Sequence, residues 1–140
     1  MKVIGIDVNS KEVALSAMDN YKLEFFSTIK IETLGLLVED LKGVFDLYKP
    51  DKINIEDSIY IQNYKTSKMI AEVVSACKIA SEQAGIEWVI APNKSWKKQV
   101  IGNGNATKEQ IRKVIVEKYL QLQKSSQDII DATAIAMWRK

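Results

Sequence analysis

Apolar side chains recur at strand spacing through the first thirty residues, and from residue 34 they change to the spacing of a helix. KVIGIDV (2–8) is a short apolar run rich in β-branched residues, which predicts a strand ending at Asp7. EVALSAM (12–18) and KLEFFSTIKI (22–31) predict two more strands, with DNY (19–21) as the turn between them. Links this short make the three an antiparallel meander. Over 34–48, Leu34, Leu37, Leu41, Val44, Phe45 and Tyr48 fall at helical spacing, and Pro50 stops that helix. KINIED (52–57) reads as a fourth strand, Ile53 and Ile55 alternating with Asn54 and Glu56. Residues 63–84 predict a long helix closed by Gly85, and EWVIA (87–91) a fifth strand ended by Pro92. Helices follow at about 93–100, 107–122 and 126–139, the first two separated by a Gly/Asn turn.

This order of strands and helices predicts one α/β domain over residues 1–140, a five-stranded mixed sheet flanked by helices. The meander leaves strand three running parallel to strand one. A crossover helix then lets strand four lie parallel beside strand one, on the side away from strand two. The expected strand order is 3-2-1-4-5. Asp7 and Glu56 then stand at or near the C-terminal ends of adjacent strands, where the sheet reverses its winding and α/β folds tend to place their sites.

Composition narrows the chemistry. The chain is 46% hydrophobic and 27% charged, enough to bury a core without staples. No apolar run reaches the roughly 18 residues that suggest a membrane span. MKVIGIDV passes straight into a strand pattern, so no cleavable signal is expected. A single cysteine, Cys77, excludes an internal disulfide and suggests a reducing, cytoplasmic setting. In VVSACKIA it reads as a small buried hydrophobe. Histidine is absent, which removes Ser-His-Asp chemistry, His-paired cysteine chemistry and His-ligated zinc. Catalysis, if any, runs on carboxylates, lysines, hydroxyls or an oxygen-held metal. A net charge of +2 is too mild to name a partner. Its distribution says more: Lys94, Lys97, Lys98, Lys108, Arg112 and Lys113 face only Glu109 within residues 94–113. That stripe is either a solvated helix face or the footprint of a polyanion.

The stretch DIIDATAIAMW (128–138) is apolar or small apart from Thr133 and two aspartates, Asp128 and Asp131, one turn apart on one face. Asp131, Ile135 and Trp138 fall at i, i+4 and i+7, so the acids share a stripe expected to pack on the sheet. Ser125 and Asp128 fit a capping box, which would account for Asp128 but not for Asp131. Asp7 taken alone suits a turn, and Glu56 suits a surface position. In the expected fold, however, all four acids converge at one end of the sheet. Several carboxylates in a small volume require protonation or a counter-charge. Oxygen-only ligands suit Mg²⁺ or Mn²⁺. Two such ions, about 3.5–4 Å apart, could activate water and stabilise the leaving oxygen of a phosphodiester.

The motifs resemble the RNase H-like superfamily, and more narrowly the RuvC-type Holliday junction resolvases, in order along nearly the whole chain. GIDVNS (5–10) is similar to the family's GIDPGS, with Val8-Asn9 in place of Pro-Gly. INIEDSIY (53–60) is similar to the second motif. KKQVIGNGNATKEQI (97–111) is the most specific match, one lysine preceding V-x-G-x-G and another opening a helix. DIIDATAIAMW is similar to D-x-x-D-A-x-A-I-A. The resemblance implies an RNase H-like fold and metal-dependent nicking of a four-way DNA junction, symmetrically on two strands of like polarity, by a homodimer. It implies that Asp7, Glu56, Asp128 and Asp131 hold the metal, Mg²⁺ with Mn²⁺ as substitute and two ions per site. It also implies that Lys108 and Lys97 face the scissile phosphate or its neighbours.

Lys94, Lys97, Lys98, Lys108 and Arg112 are the expected DNA contacts. Thr107 and Gln110 fit a capping box that sets Lys108 in the first turn of its helix, where backbone amides also favour phosphate. Tyr60 and Tyr64 either stack on bases at an opened crossover or are ordinary interface or core aromatics. Met69, Ile70, Val73, Val74 and Cys77 form an apolar stripe that is core, dimer seam or both. No membrane and no nucleotide cofactor is expected. The compact, Lys/Ile/Asn-rich chain suits a bacterial cell or a phage-infected host. The alternatives are another RNase H-like nuclease acting on branched DNA or RNA–DNA hybrids, and a non-catalytic junction-binding protein. GIDVNS also resembles the first phosphate loop of actin-like ATPases, but those need two such lobes.

Overall fold

A computed structural model describes residues 1–57 and 63–140. Strands β1 (Lys2–Val8), β2 (Glu12–Asp19) and β3 (Lys22–Lys30) form the antiparallel meander. Asn20 and Tyr21 both adopt positive φ, 49° and 66°, which matches a two-residue hairpin link to the twist of its strands. Helix α1 (Leu34–Tyr48) starts on Thr33, whose side chain accepts from the Leu36 amide, and ends on Lys49 just before Pro50. Strand β4 (Lys52–Glu56) returns parallel to β1, and β5 (Glu87–Ala91) lies parallel to β4 after α2 (Tyr64–Gln83). The sheet order is β3-β2-β1-β4-β5, as expected from the short links.

Helices cover both faces. On one, Leu37, Leu41 and Phe45 of α1 and Ile70, Val73, Val74 and Cys77 of α2 pack on Ile4, Ile6, Ile53 and Ile55. Cys77 is fully buried, and burial pushes its thiol up to about 12, which fits the role of a small hydrophobe. Met69, expected in the same stripe, stays 43% exposed. On the other face lie α3 (Asn93–Trp96), which runs on as a π-helical turn (Lys97–Ile101), then α4 (Lys108–Lys118), a 3₁₀ turn (Leu120–Leu122) and α5 (Gln127–Met137). Thr107 and Gln110 form the expected capping box. The start of α5 differs from expectation. Its cap is Ser126, whose side chain accepts from the Ile129 amide, not Ser125. Asp128 still lies in the first turn.

Three features seat α5 on the sheet. Gly5 of β1 leaves the room: a Cβ there would run into the Ala132 carbonyl oxygen and the Ala136 amide nitrogen, and would sit 2.8 Å from the Ala136 Cα. Asn54 is fully buried and donates through Nδ2 to the carbonyls of Ile135 (2.9 Å) and Trp138 (3.0 Å), fastening the end of the helix. The buried Thr133 hydroxyl lies 2.9 Å from both the Ser16 hydroxyl and the Ile129 carbonyl. Alternate residues of β4 therefore face a helix rather than solvent. Among the described residues no helix is long and apolar enough to cross a membrane.

Candidate active site

Register brings the first two acids together. Gly5 pairs with Asn54 and Ile6 with Ile55 in the parallel β1–β4 ladder. One step further along both strands, Asp7 and Glu56 stand side by side on the face that meets α5. Asp7 is only 7% exposed. Burial pushes its carboxyl far above the ordinary range; contact with Glu56 adds to the shift, as do the charges of Glu56, Asp131 and Asp128. Glu56 is also raised by burial, while contact with Asp7, the Val8 amide and the charge of Lys97 act the other way. Two touching buried carboxyls cannot both ionise without a counter-charge, so the pair holds one proton between them.

Helix α5 supplies the other two acids. Asp131 is raised to about 6, chiefly by burial, against a hydrogen bond from Gln127 and the charge of Lys97. Gln127 Nε2 donates to Asp131 Oδ1 at 2.8 Å. Asn9 Nδ2 donates to Asp128 Oδ2 at 3.2 Å. Among the described residues no group of three or more acids is placed, as the side chains stand, to hold a metal ion. The donor set nonetheless fits a hard divalent cation: four carboxyls, two of them in contact and mostly buried, with the Lys97 charge acting on Glu56 and Asp131.

Lys97 opens the π-helical turn, a distortion common at functional sites, and its Nζ lies 5.6 Å from the Trp96 ring centroid. Trp96 itself is fully buried and anchors the turn. Lys108 lies exposed in the first turn of α4, and Lys94 and Lys98 are exposed on the segment before it. Arg112 is half-buried and donates to the Ser125 carbonyl at 2.9 Å, so part of its guanidinium ties α4 to the start of α5. Among the described residues none of these cations is in a salt bridge. Tyr64 is 80% exposed at the start of α2, while Tyr60 lies outside the described residues. The two amide partners, Asn9 and Gln127, were not singled out from sequence. Val8-Asn9 in place of Pro-Gly and the i, i+4 spacing of Gln127 and Asp131 were the available signals.

The raised carboxyls set a pH dependence. Each binds its proton more tightly in the folded chain than in the unfolded one. Their stabilising contribution is therefore complete below about pH 4, the unfolded carboxylate range, and is lost as pH rises through the folded values, about 6 for Asp131. For Asp131 alone the change is worth about 3 kcal/mol at most. Without divalent ions, the melting temperature is expected to fall between pH 5 and 8. Millimolar Mg²⁺ should restore it at pH 8 and change it little at pH 5. A flat metal-free profile in thermal melts would contradict this account.

The family model described as Crossover junction endodeoxyribonuclease RuvC matches residues 3–139. The crossover junction endodeoxyribonuclease RuvC of Aliarcobacter butzleri (strain RM4018) is 32% identical, covering 98% of this chain and 96% of its own. The protein of the same name from Caldanaerobacter subterraneus subsp. tengcongensis is 28% identical, over 98% and 90%. Among solved structures, Thermus thermophilus RuvC in complex with Holliday junction substrate superposes with a TM-score of 0.85 at 20% identity, over 98% of this chain and 91% of that one. The yeast mitochondrial Holliday junction resolvase Ydc2 gives 0.66 at 14% identity, over 96% and 75%. At these identities the structural likeness speaks for the fold, and the family match carries the assignment. By that match, this chain is a member of the RuvC crossover junction endodeoxyribonuclease family.

Proposed function

We propose that this chain is a Mg²⁺-dependent endonuclease that resolves four-way DNA junctions as a homodimer, nicking two strands of like polarity. The observation that carries the reading is the buried Asp7–Glu56 contact, faced by the charges of Asp128 and Asp131 and acted on by Lys97. In this reading the four acids hold two Mg²⁺ ions, with Mn²⁺ able to replace them. A divalent cation bound there supplies the positive charge that activates water and stabilises the departing oxygen of a phosphodiester.

The chain's own residues do the rest. Asp7 and Glu56, seated on adjacent strands, fix the rigid half of the site. Asp128 and Asp131 bring the helix half. Lys97, beside the acids, meets the non-bridging oxygens of the scissile phosphate, and Lys108 meets a neighbouring phosphate from the first turn of α4. Lys94, Lys98 and the free part of Arg112 extend the track for the DNA backbone. The exposed Tyr64 and Met69 near the start of α2 suit the dimer contact and the opened junction centre.

A synthetic immobile four-way junction, incubated with and without Mg²⁺ and resolved on denaturing gels, tests this. Paired nicks on like-polarity strands, only with metal, are expected. Binding without nicks would reduce the chain to a junction binder. Preferential cutting of flaps, forks or RNA–DNA hybrids would assign another RNase H-like activity.

A further inference from the structure

Each helix-borne acid has one oxygen engaged by a side-chain amide. Asn9 Nδ2 holds Asp128 Oδ2, and Gln127 Nε2 holds Asp131 Oδ1. Among the described residues the second oxygen of each carboxylate takes no hydrogen bond. Asn9 has no freedom to turn the other way. Its Oδ1 accepts from the amides of both Lys11 and Glu12 at 2.8 Å, so its NH₂ must point at Asp128. The residue thus links the β1–β2 loop to α5, 119 positions away in sequence. Gln127 reaches along its own helix by one turn. Both are half-buried, so water competes only weakly for these bonds.

We propose that Asn9 and Gln127 are positioning residues that fix the rotamers of Asp128 and Asp131 and leave one oxygen of each free for a divalent cation. The inference rests on the reading of these acids as metal ligands. Ligand-orienting hydrogen bonds of this kind act through the group they hold, without touching the ion. An asparagine is needed at position 9 because the site requires two acceptor contacts and one donor from a single side chain. Serine keeps an acceptor for the turn but falls short of Asp128.

Mn²⁺ titration of the DNA-free protein, followed by electron paramagnetic resonance, tests this, with metal-free thermal melts beside it. Asn9→Ser and Gln127→Met are each expected to weaken Mn²⁺ binding by about tenfold. Their metal-free melting temperatures should stay close to the parent's. Asp128→Asn and Asp131→Asn enter the same series. If these two bind Mn²⁺ as well as the parent does, the metal-ligand reading fails and the inference with it. If they weaken binding while Asn9→Ser and Gln127→Met do not, the inference alone fails. Tighter Mn²⁺ binding in either amide variant would mean that the amides compete with the cation, which also overturns it.

Discussion

Asp7→Asn is expected to lower junction cleavage by about a thousandfold or more, equivalent to about 4 kcal/mol of transition-state stabilisation. Junction affinity should be retained. The substitution keeps shape and volume in a position that is only 7% exposed, so no cavity opens. It replaces a carboxyl that shares a proton with Glu56 by a permanently neutral amide, and so relieves the like-charge crowding that arises when the pair ionises. Three observations should therefore move together. The metal-free melting temperature at pH 8 should hold or rise. Mg²⁺ should no longer add stability. Nicking should vanish while gel-shift affinity persists, because in the proposed function the cations of residues 94–113 carry DNA binding. A variant that cuts at the parent rate would remove Asp7 from the mechanism. One that loses DNA binding as well would show that Asn disturbs more than the ligand.

Much of this framework was legible because the links are short. A two-residue turn after Asp19 and a three-residue loop after Val8 leave only a meander, and the crossover through α1 then fixes where β4 can lie. Asp7 and Glu56 follow from register alone. What was not legible depends on backbone details or on distant partners. The capping-box pattern pointed to Ser125, but the cap of α5 is the next residue, Ser126, whose backbone is extended and whose side chain accepts from the Ile129 amide. Asn54 looked like the polar half of an alternating strand, yet it is buried, because what covers that face comes from the far end of the sequence. Asn9 and Asp128 carry no periodic signal linking them. Lys97 and Lys108 stood alike in sequence, but it is Lys97, at the start of the π turn, whose charge acts on Glu56 and Asp131. Within the basic stripe, Arg112 turned out to hold the fold together as well, through Ser125.

Gly5→Ala tests the coupling between fold and site most severely. A single methyl group at this position meets the Ala132 carbonyl oxygen and the amide nitrogen and Cα of Ala136. These are backbone atoms of α5, so trimming a neighbouring side chain cannot relieve the clash. The helix itself must move away from β1. Overpacking of this kind costs at least about 3 kcal/mol, and in a chain of this length should lower the melting temperature by about 10 °C. Moving α5 also stretches the bonds from Asn54 to Ile135 and Trp138 and carries Asp128 and Asp131 away from Asp7 and Glu56. Cleavage should therefore fall even below the melting temperature, in protein that is still folded by circular dichroism, and Mn²⁺ affinity should fall with it. Adding Ala132→Gly should not rescue either property, because the obstructing oxygen belongs to the main chain. Parent-like stability and cutting in Gly5→Ala would mean that α5 sits further from β1 than the contact at Gly5 allows. The geometry that joins the helix acids to the strand acids would then fall with it.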